Sequence, residues 1–158
     1  MSDPISTELS IRQAELILKL YDLRREATMR EARSYIGGEF LPSSADELFG
    51  IVSGGGKHGA FVLQVYGYWD MVAAFVDSGA LDARLVYNSC QELYFQYAKI
   101  QPYLAEFRDR MNLPEWMSGI ERLVEGSELG RARLEVMKKN LQAIAAARAS
   151  SKPAEAAS

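Results

Sequence analysis

Apolar residues along this chain return with the period of an α-helix, and no stretch sustains the alternation of a strand. The clearest run spans Val86 to Met111, where Val86, Cys90, Leu93, Tyr97, Ile100, Leu104, Phe107 and Met111 alternate steps of four and three. Such a seam predicts a long helix packed lengthwise against other helices. Between Gly59 and Asp77 the apolar positions fill two neighbouring stripes, Phe61, Val65, Tyr68, Val72 and Phe75 on one and Val62, Trp69, Ala73 and Val76 on the other. That pattern predicts a central helix buried on most sides. Gly79 and Asp82 supply a stop and a fresh cap within a few residues, so 60–77 and 83–111 are expected to form a central antiparallel hairpin. Pro102 sits inside the seam without disturbing its phase, which predicts a kink within one helix.

The flanking segments read in the same way. Asp3 and Pro4 open a first long helix whose Leu9, Leu16, Leu20, Leu23 and Ala27 recur near heptad spacing, and Gly37 and Gly38 end it. Ser44 and Glu47 have the spacing of a capping box and start a short helix to about Val52, stopped by Gly54, Gly55 and Gly56. Leu113 and Pro114 begin a segment with Trp116, Ile120 and Leu123 on one face, halted near Gly126. A last helix from near Ser127 carries Leu134, Met137, Leu141 and Ile144. The expected architecture is all-α, a bundle of five to six helices around the hairpin, with 1–149 as one domain. The Ala, Ser and Pro residues of 150–158 bury too little to order themselves and are expected to form a disordered tail.

Composition narrows the functional classes. A hydrophobic fraction of 48% with 25% charged residues fits a folded body. The net charge of -3 gives no overall attraction to phosphate backbones, so no nucleic-acid partner is expected. Cys90 is the single cysteine and lies on the seam, where it reads as a small buried hydrophobe in a chain suited to a reducing, cytoplasmic compartment. No secretion signal is evident at the start, and the longest strongly apolar run, Met71 to Val76, is short of the roughly 20 residues that span a bilayer.

Around Trp69-Asp70, Gly79-Ala80-Leu81-Asp82, Leu85-Val86, Tyr103 and Arg108 the chain resembles a family of small bacterial all-helical proteins known as a domain of unknown function. The resemblance covers about 60–125. It implies an aromatic and acidic helix, a short glycine turn and a long helix, and implies no reaction. Members of that family often carry a hydrophobic N-terminal helix that tethers them to a membrane. Here the first helix is amphipathic and charged, so the resemblance does not carry an anchor to this chain.

Candidate chemistry is sparse. Gly54-Gly55-Gly56-Lys57-His58-Gly59 invites comparison with a phosphate loop, yet Ile51 stands where the first glycine is needed and His58 replaces the hydroxyl residue after lysine. An interhelical connection is the simpler reading, with a generic anion site at Lys57 and His58 as the functional alternative. His58 and Cys90 lack an orienting third group, so no catalytic residue is assigned. No Glu-x-x-His pattern occurs, and with one histidine and one cysteine neither a metal nor another cofactor is expected. Glu92 and Glu106 read as solvated or salt-bridged positions. Asp70 beside Trp69 needs a partner, for which Arg84 and Arg108 are candidates.

Tyr87, Tyr94, Phe95 and Tyr103 lie off the seam and give the long helix more aromatic surface than one interface uses, which makes them candidates for contact with a second copy or a helical partner. Arg24, Arg25, Arg30 and Arg33, or Arg131, Arg133, Lys138 and Lys139, are interrupted by glutamates and read as solvated helix faces. The leading expectation is a non-enzymatic interaction or scaffolding module that self-associates. The alternative is a small-molecule binder or enzyme with an interhelical pocket near Trp69, Asp70 and Tyr97, using Lys57 and His58 as a lid. Attachment of the first helix to a membrane protein is a third reading.

Overall fold

The computed structural model describes residues 4–151, with side chains from Ser6 onward, and these described residues are helical without a strand. The expected cap at Asp3 and most of the expected tail, 152–158, lie outside them. In chain order the helices are α1 (Pro4–Leu23), α2 (Ala27–Gly38), α3 (Ala45–Ser53), α4 (Lys57–Asp77), α5 (Ala83–Ser89) and α6 (Gln91–Ile100). A 3-10 turn at Gln101–Tyr103 leads into α7 (Leu104–Met111), followed by α8 (Ser118–Glu125) and α9 (Glu128–Ser151).

The segments outnumber the five or six expected because two long helices are broken. The first breaks after Leu23. There the Leu20 carbonyl accepts the Tyr68 hydroxyl at 2.7 Å, and Glu26 restarts the helix by accepting from the Met29 amide at 2.9 Å. The second breaks at Cys90, which has φ −121 and ψ 56. Carbonyls loosened at this break find side chains: Tyr21 donates to Ser89 O at 2.8 Å, and Arg133 donates to Tyr87 O. At Pro102 the missing amide is accommodated by the 3-10 turn, so the seam is three helical pieces and not one kinked rod.

Burial along the seam nonetheless follows the heptad reading, with Val86, Cys90, Leu93, Tyr97, Ile100, Leu104 and Phe107 buried and Met111 packed against the core. The local punctuation also matches. Ser44 accepts from the Glu47 amide, Glu47 reaches back to the Ser43 amide at 2.7 Å, Asp82 accepts from Arg84 and Leu85, and Gly79 adopts φ 78.

Helix partners differ from the expected hairpin. α4 packs chiefly against α2, α8 and α3, α6 packs against α9, and α8 touches α4, α6 and α9. Large rings explain the difference, because Tyr66, Trp69, Tyr94 and Tyr97 are all buried and fill the interior. Tyr66 spans from α4 to donate to Gln96 O of α6 at 2.8 Å. α4 is long and apolar enough by composition to cross a bilayer, although half of it is buried inside the body, as in a core helix.

Candidate functional site

Of the five residues expected to bind a ligand, Asp70 and Tyr97 hold the two ends of α8. The Asp70 Oδ1 accepts from the Ile120 amide at 3.1 Å, in the first turn of a helix whose boundary residue, Met117, has φ 58 and provides no side-chain cap. Asp70 thus caps a helix distant in sequence, an arrangement worth about 1 kcal/mol. Gly119 makes room for it, since a Cβ there would lie 2.8 Å from that carboxylate oxygen. Arg108, expected as a partner, instead pairs with Glu121 at 2.9 Å and donates to Trp116 O. At the other end of α8 the Tyr97 hydroxyl donates to Glu125 at 2.5 Å. Burial first, and Glu125 second, raise the Tyr97 hydroxyl far above its ordinary range.

Trp69 faces a different neighbour. Its ring is buried edge-on to Tyr68, with the Arg24 guanidinium 5.1 Å from its centre. Among the described residues, none of the main clefts is lined by Trp69, Asp70 or Tyr97. Lys57 and His58 lie about 20 Å further along α4. Lys57 pairs with Glu31 of α2, and His58 stacks on Tyr35 with ring centres 4.0 Å apart. They line two shallow clefts, one with Glu31 and Glu39 and one with Gly50, Ile51, Gly54, Gly56 and Gly59 at the glycine loop. The glycines on either side of them serve the backbone: Gly55 has φ 67, and a Cβ on Gly59 would meet Ile51 O at 2.6 Å. Cys90 is buried, its thiol pushed up by burial, and its sulfur lies 3.7 Å from Ser89 Oγ.

The expected aromatic interface is largely covered by α9. Tyr94 is buried and meets Tyr87 edge to face, and Arg133 from α9 lies 3.4 Å over the Tyr87 ring. Burial pushes the Tyr94 hydroxyl up to about 12. Phe95 and Tyr103 remain half-buried, Phe95 beneath the Lys99 ammonium at 4.9 Å. Sequence periodicity counted apolar faces and could not tell which of them α9 would cover.

An uncovered surface lies instead on α4. Ala60, Leu63, Gln64, Gly67, Met71 and Ala74 are exposed. At helical spacing they occupy an arc of about 100°. The arc carries no charge, and Leu63 and Met71 are 47% and 36% exposed. Its apolar members are evenly spaced about Gly67, with Leu63 and Met71 four residues to either side and Ala60 and Ala74 seven, while Gln64 has Asp70 as its counterpart. A Cβ on Gly67 would meet nothing within 4 Å. Leu23 from the end of α1 and the exposed Glu26 border the same surface across a shallow cleft with Gln64, Gly67 and Met71.

A family model described as a domain of unknown function, DUF4760, matches residues 9–127. The chain belongs to the DUF4760 family. No curated protein and no solved structure matches it. The DUF4760 match begins within α1 and runs through α8, so α9 lies beyond it.

Within the DUF4760 region sits a charged cluster that sequence reading left unassembled. Glu92 takes Arg24 on one oxygen and Arg33 on both, the latter at 2.5 and 3.0 Å. Arg24 is only 8% exposed. Among the described residues no group of His, Cys, Asp and Glu side chains is arranged to hold a metal ion.

Proposed function

We propose that this DUF4760 chain is a non-enzymatic helical interaction module that self-associates through the exposed face of α4. The observation that carries the reading is the uncharged exposed arc whose apolar members are evenly spaced about Gly67. A two-fold interface is self-complementary, each residue meeting its symmetry counterpart's partner. An antiparallel pair of α4 helices crossing at Gly67 sets Leu63 against Met71 and Ala60 against Ala74, and the glycine lets the backbones approach. The arc itself brings no charge to the pair, and the nearby carboxylate in the Leu23 cleft, Glu26, lies at its border. Leu23 and its symmetry mate widen the contact toward the size of a stable interface.

The dispersal of Trp69, Asp70, Tyr97, Lys57 and His58 over separate structural duties takes support from a reaction or ligand site built on them. Solution mass by light scattering tests the self-association. The wild-type chain is expected at twice its 17.6 kDa, and a Leu63→Glu, Met71→Glu chain at the monomer mass with an unchanged helical spectrum. Both positions are exposed, so glutamate is tolerated in the fold. A monomeric wild type, or a dimer that survives both glutamates, overturns the reading.

A further inference from the structure

Where the chain leaves α2 and turns through Leu41, Pro42 and Ser43, it passes beside the end of α6 and the middle of α9, leaving an open cavity of about 540 Å³. That size lies in the range of small-molecule sites. Its walls are mainly apolar, with Leu41, Pro102, Tyr103 and Leu141 prominent. Lys99 and Lys138 also line it, the Lys99 ammonium lying against Ile36 O and the Phe95 ring at its edge, and no carboxylate is among the lining residues.

Lys99 is the unusual member. It is 4% exposed, spends one of its three N–H donors on Ile36 O, and makes no ion pair among the described residues. A buried cation without a counter-ion is costly. Lys138 leans on Glu135 at 3.2 Å and stays partly exposed at the rim. Arg148 bonds the Gly38 and Glu39 carbonyls and adds positive potential around Lys99. The cavity therefore has apolar walls and two lysines, with the Glu135 carboxylate held by Lys138 outside its lining.

We propose that this cavity binds a small monocarboxylate with an apolar body, an aryl or medium-chain alkyl acid, its headgroup on Lys99 and Lys138 and its body against Leu41, Tyr103 and Leu141. The ligand supplies the counter-ion that the fold omits. A single-headed acid suits the site better than a phosphate, because the ammoniums are point charges without the bidentate forks or clustered amides that grip phosphate. The wall from α9 lies beyond the matched DUF4760 residues, so the site is assembled from the family domain and the helix that follows it. The proposal is independent of pairing through α4.

Isothermal titration of the full chain with decanoate and 1-naphthoate tests it, with decanol, 1-naphthalenemethanol and inorganic phosphate as comparisons. The acids are expected to bind about tenfold or more tightly than the matching alcohols, as a charge-assisted hydrogen bond dictates. Lys99→Met should erase that preference. Ala145→Trp, at an exposed position on the rim, should block both acids while the helical spectrum is unchanged. Equal binding of acid and alcohol, acid binding that survives Ala145→Trp, phosphate binding as tight as the acids, or no heat at about 1 mM acid would each overturn it.

Discussion

Glu92→Ala is expected to destabilise the folded chain by about 3 kcal/mol, the low end of what breaking a buried ion pair costs. The value sits at the low end because the Glu92 side chain keeps 19% of its exposure, and Arg33, at 28%, can swing into water once released. Arg24 has no such escape. Its guanidinium lies 4.7 Å from the Tyr21 ring and 5.1 Å from the Trp69 ring, and its Nε already lacks a hydrogen-bond partner. Losing Glu92 leaves that charge buried and unpaired. Glu92→Gln keeps an acceptor of the same shape and should cost about half as much, as a neutral partner to a charged donor does. Urea unfolding checks both variants, with the midpoint falling and the slope unchanged. A loss under about 1 kcal/mol for the alanine variant would mean the cluster behaves as a surface ion pair.

Raising the pH from 8 to about 10 is expected to stabilise the wild-type chain relative to Lys99→Met by about 2 kcal/mol. Burial lowers the Lys99 ammonium to about 8, with Arg148 adding to the shift and Glu92 opposing it. An unfolded lysine titrates near its ordinary value of about 10.4. Between those two values the unfolded chain binds more protons than the folded one, so stability from this group rises with pH. Below 8 both states are charged and the full desolvation cost is present. Cys90, Tyr66, Tyr68, Tyr94 and Tyr97 are all raised by burial and pull the other way, losing stability as pH climbs through their unfolded values. They are common to both chains and cancel in the difference. Parallel stability curves for wild type and Lys99→Met, measured by urea midpoints across the range, would show that Lys99 is hydrated.

Much of the helix punctuation was legible because its causes are local. The capping box at Ser44 and Glu47, the left-handed turn at Gly79 and the cap at Asp82 each act within a few residues. The seam's burial was legible because heptad spacing survives two breaks. The breaks were not, since their partners are remote: Tyr68 at Leu20 O, Tyr21 at Ser89 O, Arg133 at Tyr87 O. Glu26 is the exception, a local cap concealed by a residue type less usual there than Ser or Asp. The role of Asp70 depends on α8 arriving beside it, which no spacing within α4 encodes. The even spacing of apolar residues about Gly67 was present in the sequence, but α4 is apolar nearly all round, so its open side emerged only with its packing.

Oxidative cross-linking through Gly67→Cys tests the pairing of α4 most directly. The native Cys90 is 3% exposed with its thiol raised by burial, so it stays silent toward a mild oxidant. In an antiparallel pair crossing at residue 67, that position meets itself, within reach of a disulfide. The predicted result is a covalent dimer from the Gly67→Cys chain, none from Ala60→Cys alone, and one again when Ala60→Cys and Ala74→Cys chains are mixed. Cross-linking of Ala60→Cys with itself, or no dimer from Gly67→Cys, would contradict it.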